Sequence, residues 1–290
     1  MEEKKRKPLW LKLLISLLSS VLSLALLFGG FCVFAKVKYD INVFETFSQL
    51  SQISKEINAE DKFLNMFSVD DMSSAQTTVN HSIPNLITYS ETDGYSISSE
   101  ISGTMSEDIC LTSKQVGAVL NLILESQENS GITIAGKSFS LNLIQIAFSD
   151  IKENSVEFNA VVKIDISSIK ESMNFFPANW IAKHIPSNLY LSSTVIINKA
   201  ETPFTYNVQS KGLTVNNLDE KGTASFFKTI NTFISFGSLE DINNSIGGTF
   251  ANAMIGNEEN TGFAYSLKDV GATDFTFQNI DETNMFIIQK

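Results

Sequence analysis

The chain has 290 residues, 43% of them hydrophobic, with 21 Lys/Arg against 32 Asp/Glu and a formal net charge of −11. Seven of the bases but only two of the acids precede Tyr39, so the remainder is more acidic still, which argues against a surface built to neutralise nucleic-acid phosphates. Cys32 and Cys110 are the two cysteines, and Cys32 lies in the apolar N-terminal segment, so no internal disulfide is expected; for an exported domain of this size that points to a bacterial surface protein.

The first 36 residues read MEEKKRKPLWLKLLISLLSSVLSLALLFGGFCVFAK, and the 23 residues between Lys12 and Lys36 carry no charge. As a helix they would extend about 34 Å, enough to cross a bilayer core. A cleavable signal peptide has a shorter apolar core of about 7–15 residues. Val33-Phe34-Ala35 has some cleavage-site character, and Phe31 is too bulky to precede a lipid-modified Cys32. The expectation is a basic cytoplasmic tail over 1–12 and an uncleaved transmembrane signal-anchor over 13–35. Lys4, Lys5, Arg6, Lys7 and Lys12 precede the span and only Lys36 and Lys38 closely follow it. Basic flanks stay in the cytoplasm, so the main domain is expected to be extracellular.

Residues 39–94 read as a membrane-proximal helix and loop. Phe44, Phe47, Leu50, Ile53 and Ile57 fall at helical spacing, whereas 68–93 is polar and predicts a loop with short elements. Tyr95, Ile97 and Ile101 then alternate as in a strand. In ICLTSKQVGAVLNLILES, Thr112 and Gln115 form a capping-box pair that starts a helix near Ser113. Its Val116, Val119, Leu120 and Ile123 line one face while Ala118, Leu122 and Leu124 cover much of the rest, so other structure must enclose it.

Gly131–Ser138, GITIAGKS, fits the phosphate-loop pattern G-x-x-x-x-G-K-[ST]. A phosphate loop needs a buried strand before it and a helix after it. Here SQENS precedes, and the alternating Phe139, Leu141 and Leu143 follow, so the segment predicts a turn between two strands and no nucleotide site. VEFNAVVKIDI is the strongest strand: Val156, Phe158, Ala160, Val162, Ile164 and Ile166 face one way, Glu157, Asn159, Lys163 and Asp165 the other. Two short helical turns broken at Pro177 and Pro186 follow, the first capped by Ser168 and Glu171. Next come the strands LYLSSTVII and FTYNVQS, joined through NKAETP, and an amphipathic helix with Phe226, Phe227, Ile230, Phe233 and Ile234 on one face. The tail from Ser238 predicts a helix interrupted at Gly247-Gly248, then strands in GFAYSL, DFTF and NMFII.

Catalytic signals are sparse. The two histidines, His81 and His184, belong to no H-E-x-x-H pair, and there is no G-x-S-x-G. Asp70-Asp71, Asp219-Glu220 and Glu258-Glu259 lack calcium-loop spacing. No enzyme activity, metal or cofactor is expected. The apolar segment Phe175, Phe176, Trp180, Ile181, Ile185 reads either as a core-capping loop or as a rim for an apolar ligand.

The segments ICLTSKQVGAVLNLIL (109–124), VEFNAVVKIDI (156–166) and YNVQSKGLTVNNL (206–218) resemble the membrane-anchored YpmS-type proteins of Gram-positive bacteria, within the tubular lipid-binding (TULIP-like) group. The resemblance covers 95–236 and implies a curved antiparallel sheet wrapped on one or two helices around a lipid-holding interior. It offers no catalytic residue, and 39–94 and the C-terminal α/β extension 237–290 depart from it. The expected fold class is therefore α+β behind one N-terminal transmembrane helix. The expected function is to hold an apolar ligand, a lipid, near the outer membrane face, through Val116, Val119, Leu120, Ile123, Phe158, Val162, Ile164, Phe226, Phe227, Ile230 and Phe233. The alternative is a non-catalytic structural or assembly subunit of the cell envelope that binds a protein partner. Membrane lipid is the anchor in both readings, and neither nucleotide nor nucleic acid is expected as a partner.

Overall fold

The structure is a computed structural model that describes residues 9–98, 100–126, 131–134, 137–152, 154–174, 178–232 and 237–290. The chain divides into two compact units, Met1–Gln49 and Leu50–Lys290. The first contains helix α1 (Leu9–Tyr39) and most of α2 (Val43–Ile53). Within α1, Leu18–Tyr39 is long and apolar enough to cross a membrane, with a mean hydropathy of 2.1. The helix runs past Lys36 and ends in a tight turn at Asp40, which adopts a left-handed φ of 53° and pairs with Lys36 at 2.5 Å. The Ile41 N–H then bonds the Ala35 carbonyl, and Phe44 of α2 meets Phe28 edge to face at 5.9 Å.

The second unit is α+β with antiparallel sheets. Short helices α3 (Ala59–Lys62) and α4 (Val69–Ser82) lead to the hairpin β1 (Ile87–Ser90) and β2 (Gly94–Ile97). Strand β3 (Ile109–Thr112) and helix α5 (Ser113–Ser126) precede β4 (Gly131–Ile134), β5 (Lys137–Lys152) and β6 (Ser155–Asp165). Two turns, α6 (Ser167–Ser172) and α7 (Ala178–His184), separate β6 from β7 (Asn188–Lys199) and β8 (Tyr206–Val215). Helices α8 (Glu220–Asn231), α9 (Leu239–Met254) and α10 (Phe263–Ser266) then lead to β9 (Asp274–Ile280) and β10 (Thr283–Gln289). Strands β4-β5-β6-β7-β8 form one sheet in that order, and β3-β10-β9 form another.

The main sheet follows its sequence pattern. Val156, Phe158, Ala160, Val162 and Ile164 of β6 are all buried, as are Leu189, Leu191, Ser193, Val195 and Ile197 of β7. Helix α9 touches β7, β8 and also β4, at the opposite edge, so the sheet curves around it without closing. The capping box at α5 is formed: the Thr112 N–H donates to Gln115 Oε1 and the Gln115 N–H to Thr112 Oγ1. Helix α5 is apolar nearly all round because α4, β5, β3, β10 and α9 surround it. The two sheets meet in phenylalanine: Phe148 lies between Phe158 (6.2 Å) and Phe277 (5.8 Å), and Phe277 contacts Phe275 and Phe286. Lys199 and Asp274, each 17% exposed, close the seam with a 2.6 Å ion pair.

Several expectations fail. The polar stretch 68–93 holds the 14-residue helix α4, capped by a reciprocal Ser68–Asp71 box. Gly247-Gly248 does not break α9, and the residues GFAYSL supply the helical turn α10, not a strand. Ser168 does not cap α6: the cap position is Ile166, and Asp165 Oδ1 accepts from the Ser167 N–H instead. Leu50–Lys290 is one unit because β10 pairs with β3 and α9 packs on the main sheet.

Candidate functional site

Ten of the eleven expected ligand positions lie in one continuous core. Val116, Val119, Leu120 and Ile123 on α5, Phe158, Val162 and Ile164 on β6, and Phe226, Phe227 and Ile230 on α8 are each 8% exposed or less. Phe233 lies outside the described residues, as do Phe175 and Phe176. Helix α5 lies on β5 and α8 on β8, while α9 takes the concave side of the sheet. Its Ile242, Ile246, Phe250, Ala251 and Met254 are buried there. The gap bounded by Leu111, Val116, Val119, Leu120, Met254, Phe263 and Phe286 has no room for a water-sized sphere.

Helix α9 seats closely for specific reasons. A Cβ on Gly247 would stand 2.6 Å from Ser210 Oγ and 3.3 Å from Val195 and Val208, so only glycine fits without displacement. Asn243 Oδ1 accepts a 2.6 Å bond from the buried Ser193 hydroxyl, and the Asn243 carbonyl accepts one from Ser210. At the far end Tyr206 donates to Asn252 Oδ1 at 2.6 Å, and burial pushes the Tyr206 phenol up to about 12.

The opposite face of the sheet carries a different feature, a cleft of about 350 Å³ lined by Lys62, Phe63, Leu64, Asn65, Gln145, Asn159, Tyr190, Ser192, Thr214 and Asn216. A bulge between Leu143 and Gln145 makes it. Strict alternation would send Gln145 into the core after Leu141 and Leu143. The extra residue reverses the faces, so Ile146 and Phe148 turn inward and Gln145 turns toward the cleft. The chain leaving α3 passes above: Met66 bridges to Gln145 and Phe63 stacks on Tyr190 at 5.5 Å.

A directed hydrogen-bond relay fixes the cleft floor. The Asn65 N–H donates to Gln145 Oε1 (3.1 Å), Gln145 Nε2 to Asn159 Oδ1 (3.4 Å), and Asn159 Nδ2 to Ser192 Oγ (2.8 Å). Asn216, in a left-handed turn at φ 50°, accepts from the Tyr190 N–H and donates to the Ile53 carbonyl. Lys62 Nζ donates to the Asn216 carbonyl and to Asn217 Oδ1. Burial holds the Lys62 ammonium below the usual lysine range.

Other chemistry-bearing groups are dispersed. Among the described residues no group of three or more His, Cys, Asp or Glu is placed to hold a metal. His81 pairs with Glu107 in solvent, and His184 Nδ1 lies 2.8 Å from the Trp180 carbonyl. Burial, with Asp108 and Glu107 adding to it, pushes the Cys110 thiol up, away from the reactive thiolate. The GITIAGKS segment spans an antiparallel pair, with Gly131 opposite Ser140 and Ile134 opposite Lys137, so a strand occupies the place where a phosphate loop would begin its helix. Ala135 and Gly136 lie outside the described residues. No family model, curated protein or solved structure matches the chain.

Proposed function

We propose that this chain is a single-pass, non-catalytic subunit of a bacterial cell envelope, with its N-terminus in the cytoplasm and Leu50–Lys290 outside. Two readings compete, an apolar-ligand carrier and an assembly subunit, and one observation favours the second. The concave side of the main sheet, where an acyl chain would lie, is taken by α9 of the same chain. A lipid there would have to displace the Ser193–Asn243 bond and the close seat of Gly247. The side-chain chemistry supports a non-catalytic role, because both histidines are exposed and, among the described residues, no three His, Cys, Asp or Glu gather in one place. The basic flank before α1 supports the orientation.

Mass spectrometry of an organic extract of the full chain, purified in detergent and exchanged into a second detergent, tests the choice. The subunit reading expects no stoichiometric lipid beyond the exchangeable annulus. One acyl lipid per chain that survives exchange would overturn it in favour of the carrier. Protease added outside intact cells or protoplasts should digest the domain, and full protection would reverse the orientation.

A further inference from the structure

We propose that the cleft between the α3–Met66 segment and the outer face of β5–β8 binds a short saccharide, neutral or carrying a single carboxylate. The inference goes beyond the assembly role and does not depend on it, since the cleft lies across the sheet from α9.

The floor has the chemistry that hydroxyl groups need. Sugar hydroxyls donate and accept at once, so they are matched by amides and hydroxyls and poorly matched by a floor of one sign. Gln145, Asn159, Ser192, Thr214 and Asn216 supply both kinds of atom. Their orientation is set by the protein. The Asn65 N–H fixes which end of Gln145 accepts, which in turn orients Asn159 and makes Ser192 Oγ an acceptor. The Ser192 proton is then left to point into the cleft. Among the described residues the hydroxyls of Tyr190 and Thr214 have no protein partner either. Gln145 is only 7% exposed, so the relay is held rigidly, and a preorganised polar floor loses little on binding.

Tyr190, backed by Phe63, adds an aromatic surface for the C–H face of a sugar ring. The volume of about 350 Å³ falls at the small end of ligand sites, which run from about 300 to 1,000 Å³. Lys62 is the single cation among the lining residues, and none of them is Asp or Glu. That set tolerates one carboxylate, repels nothing neutral, and provides no acid–base pair for glycosidic cleavage. A peptide strand fits less well. It would need free backbone groups at a sheet edge, whereas the floor strands β5, β6 and β7 have neighbours on both sides and only β8, which contributes Thr214, lies at an edge.

The test is calorimetric titration of the detergent-solubilised full chain with triacetylchitotriose, 3′-sialyllactose (a trisaccharide with one carboxylate) and trialanine, alongside Ser192→Ala and Thr214→Val. The expected result is saturable saccharide binding that each substitution weakens about three- to tenfold, as the loss of one hydrogen bond implies, with the melting temperature of Thr214→Val unchanged. Lys62→Met should weaken 3′-sialyllactose more than triacetylchitotriose. Absence of heat with either saccharide at about 10 mM would overturn the proposal. So would binding that neither Ser192→Ala nor Thr214→Val affects, or equal binding of trialanine with the same sensitivity.

Discussion

Ser193 on β7 and Asn243 on α9 share a 2.6 Å hydrogen bond inside the protein, the hydroxyl donating to the amide oxygen. Both residues are buried, at 0% and 6% exposure, so neither group can turn to water if the other is removed. Ser193→Ala or Asn243→Leu alone should each destabilise by about 1–3 kcal/mol, because each strands a buried polar group. The double variant should lose less than the sum of the two. Denaturant unfolding in a double-mutant cycle measures the coupling, and strictly additive losses would show that the bond does not hold α9.

The two adjacent glycines of α9 should respond in opposite directions. Gly247→Ala forces a Cβ toward Ser210, Val195 and Val208 and should cost about 1–3 kcal/mol. At Gly248 an added Cβ meets nothing within 4 Å, so Gly248→Ala should stabilise by up to about 1 kcal/mol through helix propensity. Thermal melts of the two variants are enough. Equal behaviour would mean that α9 is not seated on the sheet in this rotation.

Those glycines also show why the sequence misled. Helix propensity alone predicts a break at Gly247-Gly248, and only the packing of α9 on β7 and β8 reveals a contact that requires glycine. The strands β5 to β8 were legible because each buries one face, and period-two alternation reports that directly. Alternation says which face is covered but not by what, so the helix occupying the interior could not be named from Val156–Ile164. Helix α4 escaped because its buried face is narrow and made of Met72, Ala75, Val79 and Ser82, although Ser68 and Asp71 spelled out its capping box. The pairing of β3 with β10 joins Ile109 to Ile288, a separation at which single-sequence patterns carry no information. The cleft was illegible for a local reason: one extra residue between Leu143 and Gln145 reverses the faces of β5 as far as Phe148, where a second bulge before Asp150 restores them.

Tyr206 predicts a pH dependence at the alkaline end. Its folded value of about 12 lies above the ordinary tyrosine value of 10.0, chiefly because burial disfavours the phenolate. The stabilising contribution is therefore complete below pH 10 and lost as pH rises through 12. Wild-type melting temperatures should fall across that window, and Tyr206→Phe should fall less steeply from a lower start, since it lacks the bond to Asn252. Parallel curves for the two proteins would contradict the burial.

Within the N-terminal unit, Phe44 and Phe47 are 67% and 46% exposed on α2, and Phe44 contacts Phe28 of the apolar helix α1. A helix that exposes phenylalanine on one face beside an apolar span is expected to lay that face in the lipid interface. Phe44→Trp, reconstituted in bilayers after the native tryptophans are replaced by phenylalanine, should emit to the blue and be quenched by lipids brominated near the headgroup. Emission typical of water, unaffected by brominated lipid, would place α2 away from the bilayer.

The core itself can be asked whether it is full. Leu120 and Val162, both within the expected ligand set, are 1% and 0% exposed, and the gap beside Leu120 does not admit a water-sized sphere. Tryptophan at either site must then displace neighbouring side chains, and overpacking of this kind costs about 1–3 kcal/mol. A protein that held an acyl chain in the same place would behave differently: tryptophan would take the lipid's volume, stability would be kept, and a lipid present in the wild-type extract would disappear. We expect Leu120→Trp and Val162→Trp both to melt earlier than wild type, with no change in extracted lipid. Retained stability together with a lost lipid, in either variant, would establish the carrier and remove the argument built on α9.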